Sequence, residues 1–157
     1  MLDQRSDEAI YGEHSQELVR FASGLVGPDD APDVVMEAFI RLTTSPAWAE
    51  AIDHRALWYR AVTYEAQSWK RSAARRRARE SRSDLASITP ANMPERDERV
   101  LAAMAVLSTQ QRAVVMLTYW SDLDVKSAGL LLDVSEGTVR KQLARARRKL
   151  REELSSE

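Results

Sequence analysis

The sequence contains no cysteine, so neither a disulfide nor a thiolate metal site contributes to its fold. It also lacks a run of roughly 20 apolar residues, the length that spans a bilayer. The acidic amino-terminal segment has no continuous apolar stretch and is not expected to act as a secretory signal. These absences favour a protein that does not insert into membranes and that works in the reducing cytoplasm.

Glycine and proline are scarce, with five of each in 157 residues, and alternating strand-like patterns are missing. We therefore expect an all-α fold. Residues 83–94 (SDLASITPANMP) lose helical periodicity and contain two prolines, which predicts a flexible linker. The expected organisation is two small helical domains, residues 1–82 and 95–157, joined by that linker.

The net charge of −1 conceals an uneven distribution. The chain before residue 55 is mainly acidic, whereas two later stretches, 70–82 and 140–151, are densely basic. A polyanion such as DNA responds to the local potential rather than to the sum of charges. The basic stretches therefore predict contacts with nucleic acid, and the acidic half predicts a cationic protein partner.

The carboxy-terminal segment carries the strongest pattern. Ser135 is a typical helix cap, and Val139, Leu143, Ala146 and Leu150 then follow at helical spacing. The other side of this amphipathic helix is polar and cationic, and a short apolar helix and a tight connection precede it. This is the helix-turn-helix pattern, whose second helix enters the major groove of DNA. A cationic face alone can be merely solvated; the cap and the turn spacing favour DNA binding.

No catalytic pattern is visible. His14 and His54 have no partners at metal-ligand spacing, and no Ser/His/Asp set, glycine-rich phosphate loop or carboxylate pair stands out. The sequence therefore predicts a protein that is not an enzyme and that needs no metal or other cofactor.

Four segments together resemble the extracytoplasmic-function (ECF) sigma factors of actinobacterial type, the small two-domain class of bacterial RNA polymerase specificity subunits. The segments LSTQQRAVVMLTYW and DVSEGTVRKQLARARRKL, which lie within 107–150, are similar to region 4 of this family. DDAPDVVMEAFIRL (29–42) is similar to region 2.2, and RALWYRAVTYEAQSWKR (55–71) to regions 2.3 and 2.4. The resemblance covers about residues 9–154. It implies a protein that directs core polymerase to specific promoters and initiates transcription there.

The resemblance implies that region 2.2 docks on the clamp helices of the polymerase β′ subunit and that region 4 contacts the β flap. An anti-sigma factor is implied by the family alone. Val34, Met36 and Ile40 lie outside the best apolar stripe of their helix, so a partner could cover some of them. The residues implied in polymerase binding are Asp33, Met36, Glu37, Ile40 and Arg41.

Region 4 is implied to read the promoter −35 element. An arginine can bond O6 and N7 of guanine together, so Arg140 is the candidate for base recognition, whereas Arg147, Arg148 and Lys149 are expected to neutralise phosphate or to stay solvated. The residues implied in −35 binding are Thr138, Arg140, Lys141, Ala144, Arg145 and Arg148.

Opening the −10 element requires a base to leave the stack and the single strand to be held, which calls for aromatic pockets beside cations. Trp48 is the better candidate for an exposed stacking group, whereas Trp58 and Trp69 fit a buried stripe. Arg75, Arg76, Arg77 and Arg79 are expected to engage phosphate or to extend into solvent. The residues implied in −10 binding are Trp48, Arg55, Arg60, Tyr64, Lys70 and Arg71.

Some positions depart from the family pattern. Tyr64 stands in place of a usual asparagine, Pro32 and Met36 replace glutamate and glutamine, Asp133 replaces glycine, and Leu130 replaces a polar residue.

Two alternative functions therefore stay open. One is a stand-alone helix-turn-helix regulator whose amino-terminal half only packs or dimerises. The other is a sigma-like adaptor that binds polymerase or another regulator without opening DNA.

Overall fold

The computed structural model of the protein describes residues 6–80, 99 and 102–156, without the side chains of 74–80. Within this part the regular structure is helical and there is no strand, which confirms the all-α prediction. The predicted linker, 83–94, lies outside the described residues, and so do the side chains of Arg75, Arg76, Arg77 and Arg79.

The described helices divide between the two halves of the chain. The amino-terminal half contains α1 (Asp7–Val26), α2 (Ala31–Thr43), the short α3 (Pro46–Ala49) and α4 (His54–Glu80). The carboxy-terminal half contains a 3-10 turn (Met104–Val106), α5 (Thr109–Val115) with a π-helical continuation (Met116–Trp120), α6 (Val125–Leu132) and α7 (Glu136–Ser155).

Short polar side chains determine where these helices begin. Ser6, Asp124 and Ser135 each accept a hydrogen bond from a backbone N–H in the first turn of α1, α6 and α7. Ser108 and Gln111 form a reciprocal capping box at α5. Helix α1 ends at Gly27, whose φ of 94° is readily available only to glycine. The cap on α7 fixes the start of the predicted DNA-reading helix.

Helices α1, α2 and α4 pack around Trp58, which is fully buried. Its indole Nε1 donates to the Val35 carbonyl at 3.2 Å. The rings of Tyr11 and Phe39 lie 5.6 and 4.8 Å from the Trp58 ring. Trp58 is therefore a core residue, as its place on the helix predicted, and Trp69 is half-buried.

In the carboxy-terminal half, the predicted apolar stripe of α7 packs on α5 and α6, and Val139, Leu143 and Ala146 are buried. Gly129 of α6 lies at a close approach, because a Cβ there would be 2.8 Å from the Val134 carbonyl oxygen. The turn after α6 closes through Asp133, which has φ 58° and ψ 45° in the left-handed region. Glycine adopts this conformation without strain, and aspartate tolerates it better than most other residues.

The conformation of Asp133 predicts opposite outcomes for two substitutions. Asp133→Val should lower the free energy of unfolding by about 2 kcal/mol, because a β-branched side chain is strongly disfavoured at positive φ. Asp133→Gly should leave stability unchanged or raise it slightly, since glycine adopts this conformation freely. Urea unfolding of both variants would measure the difference. Equal losses in both would mean that the carboxylate, rather than the backbone, stabilises the turn.

The two halves also pack against each other, with α1 and α4 on one side and α5 and α6 on the other. Buried residues of both halves belong to one apolar cluster. The sequence patterns predicted each half but not this contact.

Candidate nucleic-acid interface

The outer side of α7 is an exposed cationic face. Lys141, Ala144, Arg145 and Arg148 line one shallow concavity, together with Arg151 and Glu152. Arg140 lies one turn before Ala144 on the same helix and is also exposed. The small Ala144 side chain leaves room between the cations for the edge of a base or a sugar. The concavity thus contains four of the six residues predicted for −35 binding, whereas Thr138 and Arg140 lie outside it.

The first turn of α7 is ordered by its cap. Ser135 Oγ accepts from the Thr138 backbone N–H at 3.1 Å and lies 2.9 Å from Thr138 Oγ1, so the half-buried Thr138 is held by its own helix. Arg140 Nη2 lies 3.5 Å from Glu136 Oε2, and both side chains are largely exposed. Such an exposed ion pair contributes little stability, so DNA can displace the carboxylate.

Glutamine and lysine side chains attach the inner edge of α7 to α5. Gln142 bonds with both Gln110 and Gln111 at 3.3 and 3.4 Å, and Lys149 Nζ donates to Gln111 Oε1 at 3.2 Å. Arg147 Nε donates to the Tyr119 hydroxyl oxygen at 2.7 Å. Lys149 and Arg147 therefore each make one hydrogen bond within the fold while their side chains stay exposed, so their expected contact with phosphate remains a prediction.

Trp48 is buried, with only 4% of its surface exposed, so it is not the exposed stacking group that the sequence suggested. Its Nε1 donates to Asp7 Oδ1 at 2.8 Å, and its ring packs edge-on against His54 at 4.4 Å. The acceptor lies 41 positions away in the chain, so no local pattern could have revealed it. Trp48 fastens α3 to the start of α1.

Arg55 is engaged within the amino-terminal half rather than free for DNA. Its Nε and Nη2 donate to the two oxygens of Glu17 at 2.8 and 3.0 Å, and its guanidinium lies 5.2 Å from the centre of the Tyr59 ring. The Tyr59 hydroxyl donates to Glu17 Oε2 at 2.9 Å, and His14 Nδ1 lies 2.8 Å from Glu17 Oε1. Glu17 is the centre of a network that the sequence analysis missed.

The network changes the pKa values of Glu17 and Tyr59. Burial tends to raise the pKa of Glu17, but the hydrogen bonds from Arg55, His14 and Tyr59 and the charge of Arg55 hold it below its ordinary value of 4.5. Burial, followed by the charge of Glu17, raises the pKa of Tyr59. Tyr59 therefore stays protonated at neutral pH and can donate to the carboxylate.

The depressed pKa of Glu17 predicts a pH-dependent contribution to stability. The stabilisation is complete above the ordinary pKa of 4.5 and is lost as the pH falls through the folded-state value. Glu17→Gln should lower the free energy of unfolding by about 1 kcal/mol at neutral pH, because the pair is partly screened by solvent. Urea unfolding should show this difference shrinking as the pH is lowered below 4.5. Glu8→Gln, on the exposed side of α1, is the control and should show no comparable change; equal effects would exclude the network.

The remaining residues predicted for −10 binding lie on α4. Tyr64 is 61% exposed, and Arg71 is exposed. Arg60 Nη2 donates to the Leu130 carbonyl at 2.8 Å, and Lys70 Nζ lies 3.4 Å from the Leu107 carbonyl. Tyr64 and Arg71 therefore face solvent, whereas Arg60 and Lys70 contact the other half of the molecule.

The outer face of α2 combines charge with exposed apolar surface. Met36 and Ile40 are 41% and 54% exposed, whereas Val34 is fully buried, so the expectation that Val34 lies outside the core is wrong. Arg41 Nη1 lies 2.9 Å from Glu65 Oε1, and the Glu65 side chain is only 8% exposed. Arg41 therefore also compensates a nearly buried carboxylate of α4. The residues of this α2 face are Asp33, Met36, Glu37, Ile40 and Arg41.

Among the side chains that the structure describes, in 6–73, 99 and 102–156, no group of three or more histidines, aspartates or glutamates is placed to hold a metal ion. None of the described helices is long and apolar enough to cross a membrane.

Comparison with known proteins identifies the family. The family described as "Sigma-70, region 4" matches residues 97–150, the segment that contains α5, α6 and most of α7. The RNA polymerase sigma-E factor of Streptomyces antibioticus is 30% identical over 154 residues, which are 95% of this chain and 84% of that protein. The ECF RNA polymerase sigma factor SigL of Mycobacterium tuberculosis is 31% identical over 161 residues, which are 91% of this chain and 85% of SigL. The chain belongs to the extracytoplasmic-function sigma factors.

Solved structures show the same fold. RpoE of Bartonella quintana, crystallised with the anti-sigma factor NepR, superimposes with a TM-score of 0.68 at 23% identity, over 94% of this sigma factor and 96% of RpoE. CnrH in complex with the cytosolic domain of CnrY superimposes with a TM-score of 0.63 at 23% identity, over 99% of this sigma factor and 91% of CnrH. The comparisons support an RNA polymerase sigma factor, and nothing in them favours the stand-alone regulator or the adaptor.

Proposed function

We propose that this sigma factor docks on core polymerase with the α2 face and reads the promoter −35 element with the cationic face of α7. The observation that carries the proposal is the simultaneous exposure of these two surfaces on opposite halves of the chain. One molecule can therefore hold polymerase and duplex DNA at the same time. The proposed division is residues 1–82 for docking and the −10 element, 83–94 as the linker, and 95–157 for the −35 element.

At the −35 element, the start of α7 would enter the major groove. Thr138, Arg140 and Lys141 lie in its first turns, where recognition helices contact base edges. Ala144 would allow close approach, and Arg145 and Arg148 would follow the phosphate backbone. The shallow concavity that these side chains share supports this assignment.

At the −10 element, Tyr64 and Arg71 on α4 are the accessible candidates for stacking and for phosphate contact. Arg60 and Lys70 would join them once they are released from the carbonyls of the other half. Arg55 would act indirectly, by holding α4 to α1 through Glu17. The buried Trp48 has no part in this surface.

On the polymerase side, Met36 and Ile40 would be covered by the clamp helices of β′, with Asp33, Glu37 and Arg41 around them. Apolar surface framed by charge is typical of protein interfaces. A groove between the π-helical turn and the end of α7 is a suitable place for the β flap. It is lined by Val115, Tyr119, Trp120, Arg147, Leu150, Arg151 and Leu154.

The polymerase performs the chemistry, so the sigma factor itself is proposed to catalyse no reaction and to act in the cytoplasm beside the enzyme. RpoE and CnrH are each solved with a protein partner, an anti-sigma factor in the case of RpoE. By this analogy we include an anti-sigma factor among the proposed partners.

Run-off transcription with reconstituted core polymerase tests the proposal. The template is DNA recovered with the sigma factor from cells, and the control is the same fragment with its −10 segment scrambled. A transcript that needs both the sigma factor and the intact promoter is the expected result. Polymerase binding without a transcript would indicate the adaptor, and DNA binding without polymerase binding would indicate the stand-alone regulator.

A further inference from the structure

Glu65 of α4 places a carboxylate behind the α2 face. Its side chain is only 8% exposed, and Arg41 Nη1 lies 2.9 Å from its Oε1. Among the described residues, no well-aligned hydrogen bond reaches this oxygen. A carboxylate that is removed from water raises the free energy of the fold unless a cation compensates it. The compensation of the Glu65 charge therefore comes from Arg41.

Arg41 has a second possible partner on its own helix. Glu37 lies four residues before it, which is the favourable order for an ion pair on a helix surface. The same spacing does produce a pair on α7, between Glu136 and Arg140. In the part of the chain that the structure describes, Arg41 nevertheless pairs with Glu65 and not with Glu37. Spacing along the helix therefore does not decide the partner of Arg41.

The different hydration of the two carboxylates explains the choice. Glu37 is exposed, so water already solvates its charge and an ion pair would stabilise it little. Glu65 is nearly buried, and the loss of Arg41 would leave its charge uncompensated. Arg41 itself is 64% exposed, so its cation makes this contact while it keeps most of its hydration. Pairing with Glu65 is therefore favoured over pairing with Glu37.

This pairing determines the charge that the α2 face offers to a partner. Asp33 and Glu37 are both exposed and lie one turn apart on the same side of α2. Because Arg41 is held by Glu65, it neutralises neither of these carboxylates. The exposed side chains of Met36 and Ile40 lie on the same face. The α2 face therefore combines acidic and apolar groups, which fits a partner surface that is cationic and apolar.

We propose that Glu65 is a positioning residue for polymerase docking, which holds Arg41 away from Glu37 and so keeps the acidic side of the α2 face available to a cationic surface of core polymerase. The inference rests on the proposed function, because the docking role of α2 comes from there. Glu65 itself would not touch the polymerase. Without its carboxylate, Arg41 would turn to Glu37 and cancel a charge that the partner meets.

The first measurement tests the hold of Glu65 on Arg41 in solution, without polymerase. Side-chain NMR of the wild type should show restricted rotation of the Arg41 guanidinium, because a nearly buried carboxylate holds Nη1. Glu65→Leu should remove this restriction. Arg20, which is exposed on α1, is the reference within the same spectra and should be equally mobile in both proteins. Free rotation of Arg41 in the wild type would overturn the inference.

The second measurement is the affinity for reconstituted core polymerase. Glu65→Leu should weaken binding by about threefold, because Arg41 then neutralises Glu37 at the interface. The difference from the wild type should shrink as salt is raised, since exposed charges are screened. The double variant Glu65→Leu with Arg41→Gln should recover most of the affinity, because the competing cation is gone. If the double variant bound no better than Glu65→Leu, the inference would be wrong.

A double-mutant cycle with Glu37 gives an independent check. Glu37→Gln removes the acid itself and should weaken binding at least as much as Glu65→Leu does. Adding Glu65→Leu to Glu37→Gln should then cause no further loss, because Arg41 has no acid left to neutralise on its own helix. Additive losses would show that Glu65 acts on docking by another route and would overturn the inference.

Thermal unfolding separates these effects from a loss of folding. Glu65→Leu removes a nearly buried charge and leaves its partner in water, so the Tm should stay the same or rise. Arg41→Gln alone leaves the carboxylate uncompensated and should lower the Tm. Should Glu65→Leu fail to fold, Glu65→Gln takes its place, because it keeps the shape of the side chain without the charge.

Failure of the inference and failure of the proposed function give different results. If the wild type binds core polymerase but the double variant does not recover affinity, the role of Glu65 is wrong and the docking stands. If the wild type does not bind core polymerase, the proposed function is wrong and the inference falls with it.

Discussion

Ile40→Glu should reduce promoter-dependent transcription with reconstituted core polymerase by about tenfold or more. Ile40 is 54% exposed on α2, and the proposed contact with the clamp helices would bury it. A carboxylate in that contact loses its hydration without gaining a partner, and about 1.4 kcal/mol is sufficient for a tenfold loss of affinity. Titration of the variant against core polymerase, followed by run-off transcription, measures both binding and initiation.

The matched control is Val106→Glu, which places the same charge on an apolar residue that is 44% exposed, but in the carboxy-terminal half. It should leave polymerase affinity nearly unchanged. Thermal unfolding of both variants separates a loss of docking from a loss of folding, and surface positions of this kind should change little in stability. Full activity of Ile40→Glu would show that α2 does not form the docking face.

Arg140→Ala should abolish discrimination at one position of the −35 element and should weaken binding to the preferred sequence by about tenfold or more. A bidentate arginine–guanine contact contributes ~1–3 kcal/mol of discrimination. In the part of the chain that the structure describes, Arg140 Nη2 lies 3.5 Å from the exposed Glu136 carboxylate, an ion pair too weak to prevent DNA binding. Affinity measured on a panel of single-substitution −35 duplexes would show which position loses its preference.

Arg148→Ala is the comparison for Arg140→Ala. It should weaken binding similarly for every duplex in the panel and lower the slope of log affinity against log salt by about 1, as expected for a phosphate contact. Salt titration of both variants distinguishes the roles. Equal losses that do not depend on sequence would place Arg140 on the backbone instead of a base edge.

Local signals predicted the helices of this protein well. The cap predicted at Ser135 makes the expected hydrogen bond, to the Thr138 backbone N–H. Ser108 and Asp124 form caps of the same kind in the structure. The buried stripe of α7 and the core position of Trp58 follow from the 3.6-residue period, because that period decides which side of a helix faces its neighbours.

The exposure of the candidate site residues was predicted correctly in some cases and wrongly in others. The exposed cations of α7 could be read from the sequence, since a residue opposite a buried stripe must face solvent. Trp48, Arg55 and Val34 could not, because their partners are distant in the chain or on a neighbouring helix. Glu17 and Asp7, which hold Arg55 and Trp48, carry no local mark of that role.

Residue order alone determined the all-α class, the family and the side of α7 that faces solvent. Each of these depends on spacing within one helix or on motifs that follow one another along the sequence. Tertiary structure decided which of the candidate aromatic and cationic side chains remain available. That choice depends on long-range pairs such as Arg60 with Leu130 and Arg112 with Leu25. Such pairs form only when separate helices pack, and their free energy depends on burial and geometry that no local pattern encodes.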